Sequence, residues 1–153
     1  MNRVMGVLII AVGIGSSAWA VDAADPISFI GKGSRFIAVE DFTIPANTSW
    51  LLAIRGSLVS HQPPKEQMEQ HQASGGYCRF NIVKSPRTRV LPKDKAIVVK
   101  GAIDSALVFA SEHIHTISCS TTGGMWVKAT IGQLLQHLDG IFDFEEAPAE
   151  VID

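Results

Sequence analysis

The chain has only two cysteines, and its 153 residues contain no Cys-x-x-Cys, no His-Glu-x-x-His and no Gly-x-Ser-x-Gly. Those absences remove the sequence signals of a dithiol redox centre, a helical zinc hydrolase and a serine nucleophile elbow. Excess charge is also lacking. The 13 Lys and Arg nearly balance the 15 Asp and Glu, for a net of −2. Such a balance argues against wholesale nucleic-acid binding and against a polybasic membrane anchor. After residue 20 no apolar run approaches the ~20 residues that a membrane-spanning helix needs. There is no internal repeat, and no glycine-rich turn leads into a helix as a phosphate loop would.

What is present begins with an export signal. Arg3 charges a short start, residues 4–14 are almost wholly apolar, and Ala18-Trp19-Ala20 supplies the small residues a signal peptidase reads. Cleavage is expected after Ala20, with Ala23 or Ala24 as the alternative. No cysteine follows the apolar run, so a lipid anchor is not expected. The mature protein is therefore expected to be periplasmic or secreted. In an oxidising compartment, an even pair of cysteines in a small domain reads as a disulfide between Cys78 and Cys119. The alternative is two free thiols acting as nucleophile or metal ligand.

The mature chain is one domain in length. Residues 21–34 read as a linker or loosely held N-terminal arm, 35–145 as the disulfide-stapled domain, and 146–153 as an acidic tail. Runs rich in β-branched and aromatic residues fall at 35–39, 42–44, 49–59, 77–83, 96–100, 106–110, 114–119 and 125–128. The run at 49–59 is apolar on both faces near its centre and reads as one central strand. Within 77–83, Cys78, Phe80 and Ile82 alternate with Tyr77, Arg79 and Asn81, which puts the cysteine on the core face. Residues 84–89 and 92–95 read as polar turns. Residues 61–76 read as a long solvated loop with at most one helical turn, a length that is often functional or mobile.

One helix is well signalled. Thr130-Ile131-Gly132-Gln133 is a capping box, and Ile131, Leu134, Leu135 and Leu138 then share a face. Gly140 stands at the stop, and 141–144 alternates as an edge strand. The expected fold is mainly β, a small antiparallel sandwich or partly open barrel of six to eight strands, with this C-terminal helix and one disulfide.

No catalytic set can be assembled from the sequence, and no cofactor or metal is expected. His113 and His115 would share one face of a strand and offer a two-histidine edge. Completed by His61, His71 or an acid, that edge would serve a small secreted hydrolase or metal-binding protein, the alternative reading. Glu40 and Asp41, adjacent at a kink, are expected to face apart. Trp50 and Trp126 are expected in or near the core, with a binding groove as the other possibility.

Charge distribution carries the main functional expectation. Between Arg79 and Lys100 lie seven bases and the single acid Asp94, whereas 139–153 holds six acids and no base. The bases could simply keep hairpins soluble and unpaired, or the tail could fold back and mask them. Read functionally, Arg87, Arg89, Lys93 and Lys95 are the candidate partner-binding residues. The module would be exported and non-catalytic, an inhibitor, adaptor or accessory part of an envelope or secretion assembly. Its partner would be a protein or envelope glycan. Nucleic acid is not expected, since aromatics are not interleaved with the bases.

Overall fold

The computed structural model describes residues 22–60, 63–103, 105–120 and 129–147. The expected export signal, the tail beyond Ala147 and the expected strand at 125–128 with Trp126 lie outside the described residues. The elements run β1 (Arg35–Ala38), β2 (Phe42–Ile44), β3 (Trp50–Ile54), β4 (Ser57–Val59), α1 (Lys65–Ala73), β5 (Tyr77–Ile82), β6 (Arg89–Leu91), β7 (Ala96–Ile103), β8 (Ala106–Ala110), β9 (Ile114–Ser120), α2 (Ile131–Leu138) and β10 (Phe142–Glu145).

Eight strands form one sheet in the order β10-β1-β7-β8-β9-β5-β3-β4, and β2 and β6 form a separate two-stranded ribbon. All pairings are antiparallel. The whole is a half-barrel, the partly open form of the two expected architectures. Because side chains alternate across a strand, every second residue turns inward. Phe36 and Ala38, Leu51 and Ala53, Cys78 and Phe80, Ile97 and Val99, and Leu107 and Phe109 fill the concavity.

Six of the seven phenylalanines join in one ring cluster. Phe142 is its hub. Its ring lies 5.2 Å from Phe42, 5.9 Å from Phe80 and 6.5 Å from Phe36, linking the β2–β6 ribbon to both halves of the sheet. Helix α2 closes the interior by packing against β3, β5 and β10. Its capping box is formed as expected. Thr130 Oγ1 accepts from the Gln133 N–H at 3.2 Å, and Gln133 Oε1 accepts from the Thr130 N–H at 2.9 Å.

The disulfide joins Cys78 and Cys119, directly opposite one another on β5 and β9 with their Cα atoms 4.0 Å apart. Cys78 faces the core, as its alternation requires. A structural disulfide belongs to an oxidising compartment outside the cytoplasm. Among the described residues no helix is long and apolar enough to cross a membrane.

Three local expectations are corrected. The run at 49–59 is a hairpin, not one strand. It reverses at Arg55 (φ 45°) and Gly56 (φ 86°), the doubly left-handed two-residue turn whose twist suits a hairpin. The stretch read as the solvated loop 61–76 holds the nine-residue helix α1, which buries none of its own residues. Between the two expected polar turns, Arg89–Leu91 forms β6 and pairs with β2. The arm at 22–34 is also docked. Ile27 and Ile30 are buried, and the N–H groups of Ile131 and Gly132 donate to the carbonyls of Asp25 and Ala23.

Candidate functional site: a groove beside strand β6

Strand β6 has one edge paired with β2 and, among the described residues, no partner on the other. Beside it lies a groove of about 460 Å³, lined by Val90, Leu91 and Pro92, by Lys95, Ala96 and Ile97, and by Ala110 through His113. No residue of β2 lines it. The lining thus joins the ribbon to the ends of β7 and β8, where those strands leave the sheet. Val90 is 48% exposed on the wall, and Lys95 is exposed beside it.

Arg89 is not among the lining residues but reaches His113, which is. Alternation along β6 turns Val90 outward and sends Arg89 and Leu91 inward. Arg89 Nη1 lies 3.4 Å from His113 Nδ1. A guanidinium can only donate, so Nδ1 accepts and the ring proton belongs on Nε2, which lies 3.6 Å from a Glu112 carboxylate oxygen. The Nε and Nη2 groups of Arg89 are cut off from solvent and, among the described residues, have no hydrogen-bond partner. Such a group bears the cost of leaving water without the return of a bond.

The structure divides the candidate bases. Lys95 lines the groove, and Arg89 touches it only through His113. Arg87 is exposed on the preceding loop, its N–H bonded to Ser85 Oγ at 3.3 Å. Lys93 is exposed on the next turn, where its N–H donates to Asp41 Oδ1 at 2.9 Å, so an acid is interleaved there. Arg79 lies away on the outer sheet face, its guanidinium 5.8 Å from the centre of the Trp50 ring. Trp50 is accordingly half-buried on that outer face, outside the core cluster.

The two-histidine edge does not form as a regular strand would form it. His113 precedes β9, its N–H held by Ser111 Oγ at 3.1 Å. Within β9, Ile82 pairs with Ile114 and Asn81 with Thr116, so His115 is the extra residue of a bulge. The bulge lets Ile114 and Ile117 both reach the core although they are three apart. Nδ1 of His113 is occupied by Arg89 and His115 is exposed. Among the described residues no three His, Cys, Asp or Glu side chains converge as metal ligands would. Glu40 and Asp41 both line a second, smaller cleft of about 200 Å³, with Leu58 and Ile141.

Sequence reasoning missed His137, which is buried on α2. Its Nε2–H donates to the Gly75 carbonyl at 3.0 Å, and its Nδ1 accepts from the Arg55 N–H at 3.0 Å. Burial holds its pKa below the ordinary 6.5; the Gly75 hydrogen bond opposes that shift and the Arg55 charge adds to it. The signal available was its spacing three residues after Leu134, on the flank of the apolar face. No family model, curated protein or solved structure matches the chain.

Proposed function

We propose that this chain is an exported, non-catalytic binding module that holds a protein or glycan partner in the groove beside β6. The observation that carries the reading is the composition of that groove. Residues 90–92 and 95–97, on either side of one turn, together with residues 110–113 supply an apolar wall and an exposed lysine beside a strand that has, among the described residues, one unpaired edge. Recognition by irregular segments on such a scaffold is a common arrangement. The Cys78–Cys119 disulfide and the export signal read in residues 1–20 support a periplasmic or secreted location.

Site-specific photo-crosslinking in the native extracytoplasmic milieu tests it. A crosslinker at Val90 should trap one stoichiometric partner, and the same group at Leu58, beside the other cleft, should not. Equal labelling from both positions, or none from Val90, removes the groove from the function.

A further inference from the structure

We propose that the occupant of the groove is an extended acidic segment of a partner protein, which adds as a strand to the open edge of β6 and gives a carboxylate to Arg89. The inference rests on the binding-module reading and narrows it to one chemical class of partner.

Three observations converge. The first is the unpaired edge of β6, whose backbone groups can take up a ladder with an incoming chain. The second is the alternation of β6. A strand laid against it places its inward side chains beside Arg89 and Leu91, and its outward ones beside Val90. An acid and an apolar residue two positions apart therefore match the inward face, with Lys95 a further cation on the wall. The third is the guanidinium itself. Two of its nitrogens are shielded from solvent and, among the described residues, have no acceptor, and a carboxylate is the acceptor whose geometry fits a guanidinium fork. His113 holds the remaining contact and lines the groove, so its ring must turn aside as the carboxylate enters. Glu112 on the rim then bears on register, since an acid of the ligand placed beside it is repelled. A glycan matches the cations but not the strand edge or the apolar wall of Val90, Leu91, Pro92 and Ile97.

The test uses the mature protein with a dye-labelled peptide repeating Glu-Thr-Val-Thr, its Gln-Thr-Val-Thr counterpart, a Lys-Thr-Val-Thr peptide and an acidic oligosaccharide. Amide shifts are followed by NMR. The acidic peptide should perturb Val90, Leu91 and the 110–113 segment and slow amide exchange along β6. Its glutamine counterpart should bind at least tenfold more weakly. Lys95→Glu, an exposed change, should weaken the acidic peptide at least tenfold. Arg89→Met should abolish its binding while leaving the melting temperature unchanged or higher, because a structural arginine would instead lower it. If Arg89→Met loses both fold and binding, the Lys95→Glu result decides.

Equal binding of the glutamine peptide, an unchanged affinity in Lys95→Glu, or shifts confined to other surfaces overturns the acidic-strand inference. Groove binding of the lysine peptide or the oligosaccharide in place of the acidic peptide overturns it too, but leaves the binding-module reading standing. No groove perturbation by any of the four, together with no Val90 crosslink, removes both.

Discussion

Arg55 and His137 stand 82 residues apart, yet the Arg55 N–H donates to Nδ1 of the His137 ring at 3.0 Å. The neighbouring Gly56 N–H donates to the His137 carbonyl at 2.9 Å, so one residue of α2 receives both donors of the β3–β4 turn. Its other ring nitrogen holds Gly75, at the corner between α1 and β5. Both ring contacts need a ring that accepts at Nδ1 and donates at Nε2, which is the neutral form. A depressed folded-state pKa means the unfolded chain binds this proton more readily. The contribution is therefore fully present above about pH 6.5 and is lost as pH falls through the folded-state value. Urea unfolding at about pH 8 and about pH 5 should show this loss in the native chain. His137→Phe should be less stable at the higher pH and show a smaller difference between the two. An identical pH dependence in both proteins would discount the ring.

The same junction makes Gly56 intolerant of a side chain. Its φ of 86° is left-handed, and a Cβ there would stand 2.7 Å from the Asp139 carbonyl oxygen, a backbone atom that cannot swing away. Gly56→Ala should cost about 1–3 kcal/mol, from strain and the displaced carbonyl together. Gly31 is the control. A Cβ at Gly31 meets nothing within 4 Å, and its φ is not left-handed. Gly31→Ala should be neutral or stabilise by up to about 1 kcal/mol. Thermal melts of the two variants, run together, check both signs.

The disulfide lies across a ladder that already aligns β5 with β9, so its main effect is expected on the unfolded chain. It closes 41 residues of sequence, a span that includes β6, β7 and β8. On the chain-entropy model that closure is worth about 4 kcal/mol. Cys78→Ala with Cys119→Ala should lower the unfolding free energy by an amount of that order. The β-sheet circular dichroism of whatever remains folded should be unchanged. Loss of the sheet signal under conditions where the chain is still compact would show that the bridge sets strand register as well.

These junctions separate what the sequence carries from what it conceals. Thr130 with Gln133 and the apolar spacing from Ile131 to Leu138 announce α2, because capping and amphipathic packing are both local patterns. Cys78, Phe80 and Ile82 announce the inward face of β5 in the same way. Helix α1 buries none of its residues, so it has no apolar periodicity to detect. The β3–β4 turn uses Arg55 where Asn or Asp would have signalled a hairpin. β6 was hidden because one of its two inward residues is Arg89, and its place beside β2 is set by the tertiary fold. The groove inherits that concealment, since Val90, Lys95 and His113 come to line one groove only through the tertiary fold.

Phe142 offers the sharpest test of how ribbon and sheet are joined. Its buried ring contacts Phe36 on β1, Phe42 on β2 and Phe80 on β5. Phe142→Ala should destabilise the fold by about 3–5 kcal/mol, the range for a large aromatic removed from a packed core. Phe142→Leu keeps much of the volume and should cost less. The ribbon carries β6, so the effect should also be seen locally. Amide exchange at Val90 and Leu91 should accelerate more in Phe142→Ala than exchange at Leu107 and Phe109, in the centre of the sheet. Uniform acceleration would mean that ribbon and sheet open only together, and that the groove wall cannot loosen without the core.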